Sequence, residues 1–176
     1  SMKPKLMISS CILGNNVRYD GGNKLDHWVF AELSKYFELV PVCPEVSMGL
    51  GTPREPVHLV KKNENDIRII SLKTKEDHTI NALKVADEII ENQASVSGAI
   101  LQKNSPSCGV ERVKLYNDKN ELLITDKHSK QHRGIFAAQL IEKNPLLPVI
   151  DSGRLHDKHE RDNFLRRVLA YYRFEE

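Results

Sequence analysis

The chain has 176 residues, 40% of them hydrophobic, which is enough to bury a core as one domain spanning 1–176. Its 26 Lys and Arg against 24 Asp and Glu leave a net charge of +2, so whole-molecule charge makes no case for or against a polyanionic partner. No stretch approaches the about 20 apolar residues of a membrane span, and no charged-then-apolar leader precedes the first predicted strand, so a soluble, cytoplasmic protein is expected.

Strand-like and helix-like runs alternate along the chain, the pattern of a layered α/β domain. Ser1 ahead of Met2 reads as a residue left by tag cleavage. Residues 5–9 read as a buried strand, and 26–37 as a helix capped by Asp26 with Trp28, Val29, Leu33, Tyr36 and Phe37 as its apolar stripe. Residues 39–42 form the next strand, where Pro41 favours an edge position. Runs 58–62 and 67–72 around Asn63-Glu64-Asn65-Asp66 predict a hairpin laid on the main sheet. The clearest helix is 77–93, with Ile80, Leu83, Ala86, Ile89 and Ile90 on one face. It leads to a strand at 98–101, a second hairpin over 113–116 and 121–124, a helix at 135–143, a strand end at 148–150 and a closing helix at 159–172. The expected fold is therefore a single three-layer α/β domain with a mainly parallel central sheet plus small hairpins.

The chain has three cysteines, Cys11, Cys43 and Cys108, each following a strand-like run and sitting in a short turn rich in Pro, Gly or Asn. If the three runs lie parallel in one sheet, their carboxyl ends share the edge where open α/β sheets bind ligands. One three-thiolate site is then expected. A single cysteine at a strand end is more often a small buried hydrophobe. An odd number with no close pair also makes a poor disulfide framework and suits a reducing compartment.

The residues around the cysteines are specialised. They include Ile8-Ser9-Ser10-Cys11-Ile12-Leu13-Gly14, Val17-Arg18-Tyr19-Asp20-Gly21-Gly22, Val42-Cys43-Pro44-Glu45, Gly51-Thr52-Pro53-Arg54-Glu55-Pro56 and Ser105-Pro106-Ser107-Cys108-Gly109. In this order the motifs resemble the thiouracil desulfidase family. The ending, from Gly153-Arg154-Leu155-His156-Asp157 through Asn163-Phe164 to Ala170-Tyr171, is similar to members that carry an appended C-terminal domain and are associated with 2-thiouridine in tRNA. The chain is expected to be either a free-standing member or the N-terminal half of a longer one.

The resemblance implies a [4Fe-4S] cluster held by Cys11, Cys43 and Cys108, with one iron not bound by protein. Thiolates are the natural ligands of such clusters, and three of them leave a coordination site open. It further implies that this iron polarises the thiocarbonyl of a thiolated pyrimidine, free or in tRNA, that water attacks the carbon, and that sulfur leaves as hydrosulfide without electron transfer. Glu45 is the candidate base, since a carboxylate two residues after a ligand cysteine can accept a proton from water. Ser105 matches the family serine that assists. Ser107 stands beside the ligand, and Lys103, Arg18, Tyr19 and Asp20 are candidate wall residues for a pyrimidine edge or a phosphate.

Other readings stay open. Glu45 suits the start of a helix, and Arg54 with Glu55 suits equally an ion pair that fixes a loop or a substrate contact. Gly21-Gly22 reads as turn geometry, and neither a P-loop nor a dinucleotide glycine pattern occurs. The basic run Lys127-His128-Ser129-Lys130-Gln131-His132-Arg133 reads as a solvated loop or a tRNA backbone contact, and its two histidines have i, i+4 spacing. A structural zinc site would use the same cysteines, although close C-x-x-C pairs are missing. A tRNA-binding adaptor with buried cysteines is the second alternative.

Overall fold

A computed structural model describes residues 2–126 and 128–175, without the side chain of the last of these; Ser1 and Lys127 of the basic run lie outside it. Strand β1 (Lys5–Ser9) runs through the centre of a four-stranded sheet with β2 (Glu38–Val42), β5 (Gly98–Leu101) and β7 (Val149–Asp151) in the order β2-β1-β5-β7. Every pairing is parallel, with Ser9 opposite Val42, Ile8 opposite Ile100, and Leu101 opposite Asp151. Strands β1 and β5 are buried on both faces, as parallel strands under two helical layers must be, and they read as continuous apolar runs. Pro41 lies on the edge strand, where its missing N–H costs no ladder bond.

Side chains alternate across β1. Leu6 and Ile8 face a layer formed by α1 (His27–Ala31) and α5 (Lys158–Glu175), through Val29, Phe164 and Val168. Met7 faces the opposite layer, α3 (Thr79–Asn92) and α4 (Ile135–Lys143), through Ala86, Ile90 and Phe136. The three layers expected are present. Asp26 caps α1, its Oδ1 accepting from the N–H groups of Trp28 and Val29 at 3.1 Å each.

Several local expectations need correction. The helix expected over 26–37 is α1 followed by a separate 3-10 turn at Leu33–Lys35, which leaves Tyr36 exposed. The apolar stripe on α3 is rotated: Ile80 is 81% exposed, while Ala82, Val85, Ala86 and Ile90 are buried. The helix serves two partners, Ala82 and Val85 against a second sheet and Ala86 and Ile90 against the first, so its buried face is set by the seam between them. The first hairpin is present as expected, β3 (Val57–Asn63) with β4 (Asp66–Ser71), but in a sheet of its own. It forms a second sheet, in the order β4-β3-β6, with β6 (Leu115–Tyr116). The second hairpin shrinks to a bridge between Tyr116 and Leu122: of its outer arm Leu123 packs on the core, while Ile124 is 97% exposed. No helix among the described residues is long and apolar enough to cross a membrane.

Candidate active site

The sheet delivers the cysteines to one edge. Cys11 lies in the 3-10 turn Ser10–Leu13 that follows β1, closed by Gly14 at φ 88°, a conformation that favours glycine. Cys43 follows β2 and precedes α2 (Pro44–Ser47), whose first residue is the proline that suits a helix start. Cys108 belongs to the turn after β5. All three thiols are free and line one cleft of about 1190 Å³.

Their environments are coupled. Burial pushes the Cys108 thiol far above its ordinary range; the Ser9 hydroxyl opposes this, and Cys11, Cys43 and Glu45 push it further up. Burial also raises Cys11, against the pull of the hydrogen-bonded Arg18 guanidinium. Cys43 is raised by burial, against the backbone N–H of Val46. Three thiols, two buried and one partly buried, share one field and hold their protons tightly unless a cationic group replaces them. No set of three or more His, Cys, Asp and Glu among the described residues is spaced to grip a single metal ion. Three thiols around one cleft, with no fourth cysteine in the sequence, suit a thiolate-bound metal group larger than a single ion.

The turn bearing Cys108 is built by neighbouring segments. The Ser105 hydroxyl oxygen accepts from the N–H groups of Ser107 and Cys108 at 3.1 and 3.0 Å. From behind, the carbonyl of Pro106 accepts from Ile135 N at 3.0 Å, and that of Ser107 accepts from Phe136 N and Ala137 N at 3.0 and 3.1 Å. The first turn of α4 thus spends its unpaired donors on the cysteine turn. Gly134 permits this approach, because a Cβ there would overlap the Ser107 carbonyl and lie 2.9 Å from Cys108 N.

Glu45 stands between two partners. Its Oε1 accepts from Arg54 Nε at 3.1 Å and its Oε2 accepts from the Ser107 hydroxyl at 2.9 Å. The side chains of Arg54 and Glu45 are only 7% and 13% exposed. Arg54 therefore does not pair with Glu55, whose Oε1 instead accepts from the N–H groups of Lys73 and Thr74 at 2.9 and 3.0 Å.

The other expected wall residues divide. Arg18, Tyr19 and Lys103 line the cleft, with the Arg18 guanidinium 5.8 Å from the Tyr19 ring centre. Asp20 lies outside the lining and turns its Oδ1 to the N–H of Gly22 at 2.9 Å. In the basic run, His132 is buried, donates from Nδ1 to the Val113 carbonyl at 2.7 Å and bonds the Thr125 hydroxyl through Nε2, so it is a core residue. His128 bonds Glu111 at 3.1 Å. Sequence reasoning singled out Arg54 but with the wrong partner, and gave no role to Ser9. A lone Arg in a proline-flanked loop was the available signal for Arg54, and Ser9 carried none.

The α/β sheet thus gathers three thiols at its carboxyl edge beside a carboxylate held on both oxygens, the arrangement of a candidate thiol-centred site. Residues 6–152 match the family described as 2-thiouracil desulfurase, and the chain belongs to that family. A protein of Bacillus subtilis (strain 168), described as uncharacterized protein YbbK, is 30% identical over 111 residues, covering 59% of this chain and 72% of the relative. A solved structure of a [4Fe-4S]-dependent thiouracil desulfidase, TudS (DUF523Vcz), superimposes with a TM-score of 0.62 at 26% identity, covering 88% of this chain and 95% of that chain.

Proposed function

We propose that the protein is an iron-sulfur-dependent desulfidase that converts a thiolated pyrimidine, 2-thiouracil or 2-thiouridine, free or in tRNA, to the oxo base. The single observation that carries this reading is the meeting of Cys11, Cys43 and Cys108 at one cleft that also holds Glu45. The three thiolates would hold a [4Fe-4S] cluster with one iron not bound by protein, which suits a donor set with no fourth cysteine in the chain. When bound, such a cluster supplies a Lewis acid with affinity for the thiocarbonyl sulfur.

The reaction balances as a hydrolysis. Water oxygen bonds to the ring carbon, the carbon–sulfur bond breaks, sulfur leaves as hydrosulfide, and no net electrons are transferred. Glu45 takes the proton from water, its carboxylate aimed by Arg54 and Ser107. The Ser105 oxygen is occupied by two backbone donors, which leaves its own hydrogen to donate to a substrate heteroatom. Arg18, Tyr19 and Lys103 on the cleft wall orient the ring and whatever it carries. The cleft has room for a nucleoside as well as a base. A reducing cytoplasm suits the unpaired thiols.

The test is anaerobic reconstitution with iron and sulfide, followed by hydrosulfide release from free 2-thiouracil and from tRNA containing 2-thiouridine. Iron uptake with release from at least one of them supports the reading, and the faster substrate defines its size class. A protein that takes up no iron, or takes it up and desulfurises neither, overturns it.

A further inference from the structure

Arg54 lies beside the thiols with a side chain only 7% exposed, and several protein contacts hold it. Its backbone N–H donates to the Tyr19 carbonyl at 2.8 Å. Its Nη1 donates to the Gly51 carbonyl at 2.8 Å and to the Thr52 hydroxyl at 3.3 Å. Anchored at both points, the side chain aims Nε at one oxygen of Glu45, and Ser107 holds the other. A carboxylate gripped on both oxygens by two different segments has neither its position nor its plane free to vary.

Stability alone is a poor reason for such a pair. Replacing a buried ion pair with apolar side chains is often neutral or stabilising, because two charges must be desolvated to form it. A pair retained beside the reacting centre has its rationale in orientation, where small misplacements are costly in rate.

We propose that Arg54 is a positioning residue that acts through Glu45, holding the carboxylate in the orientation from which it accepts a proton. This rests on the assignment of Glu45 in the preceding section. A substrate contact by Arg54 would raise KM, whereas a positioning role lowers kcat and leaves KM in place.

The experiment compares reconstituted wild type, Arg54→Gln and Arg54→Lys by iron content, visible absorption, and kcat and KM for 2-thiouracil or 2-thiouridine, whichever the wild type uses. The expected result is full iron and an unchanged spectrum in both variants. In Arg54→Gln kcat falls about 10- to 100-fold with KM within about threefold, and Arg54→Lys recovers part of the loss through its charge. A crystal structure of Arg54→Gln is expected to show Glu45 turned away from Ser107. An unchanged kcat, a rise confined to KM, or iron lost in step with activity overturns the proposal. Should Arg54→Gln not fold, Ser107→Ala approaches the same carboxylate from its other oxygen: a lower kcat with full iron supports the clamp and an unchanged kcat overturns it. Adding Arg54→Gln to Glu45→Gln should cost nothing further, since the two act as one unit, and an additional loss counts against it. An inactive wild type sinks the desulfidase reading together with this one, while an active wild type with an indifferent Arg54→Gln sinks this one alone.

Discussion

Ser107 donates its hydroxyl hydrogen to Oε2 of Glu45 across 2.9 Å, although 62 positions separate them in the chain. Each is a near neighbour of a cysteine, Ser107 of Cys108 and Glu45 of Cys43, so this bond ties two of the three thiol-bearing turns to each other. The carboxylate is thereby part of the thiol site's framework as well as its candidate base.

Glu45→Gln keeps the side chain's size and removes its capacity to take a proton. The expected outcome is a protein that reconstitutes to the wild-type iron content but releases hydrosulfide about 10²- to 10⁴-fold more slowly. Iron determination and a sulfide assay on the same preparation check it; a Glu45→Gln protein with wild-type rate removes this residue from the chemistry.

Cys11→Ser, Cys43→Ser and Cys108→Ser should each lose the iron-sulfur chromophore after reconstitution, while circular dichroism stays that of the folded chain. Serine replaces a soft thiolate by a poor ligand for iron at nearly the same volume. A brown, iron-replete protein from any of the three would show that its cysteine is packing alone.

Gly134→Ala places a methyl group against the Ser107 carbonyl, which is backbone and has no rotamer to yield. The overpacking is expected to cost about 1–3 kcal/mol, read as a fall in Tm of about 2–4 °C per kcal/mol for a chain of this size. Because the displaced peptide leads directly to Cys108, iron retention should fall as well. Gly21→Ala is the comparison: its Cβ meets nothing within 4 Å, and only the φ of 79° opposes it, so iron retention should be unaffected.

Glu55 is held below the ordinary carboxylate range first by the Thr74 N–H, and also by those of Lys73 and the Thr74 hydroxyl. A depressed folded pKa stabilises the protein above the unfolded value of about 4.3 and loses that contribution as pH falls through the folded value. The Tm difference between wild type and Glu55→Gln should be largest near neutrality and close as the pH drops below about 4. A difference that persists unchanged at low pH would rule out a charge-based contribution.

What could be read from the residues follows from how local each signal is. Strands β1 and β5 are unbroken apolar runs between polar ends, and Cys11 and Cys43 follow their strands within two residues, so order and edge were legible. The buried face of α3 was not, because it depends on two sheets whose relative position no periodicity encodes. Arg54 has a glutamate as its chain neighbour and pairs with one nine residues away, brought near by the turn after β2. The support of the Cys108 turn by α4 was equally hidden, since a glycine before a helix looks the same whether or not another backbone lies against it.

The strands that carry the thiols occur in the order β2-β1-β5, so the one preceding Cys11 sits between the other two and must pair on both sides. Both pairings are parallel and connect distant parts of the chain, the slow kind of contact to make during folding. A metal group that needs all three cysteines thus finds no foothold on a partly made sheet. Unlike a zinc finger, in which the ion itself drives the chain to fold, a group bound to all three cysteines would meet its whole ligand set only after both strand pairings are made.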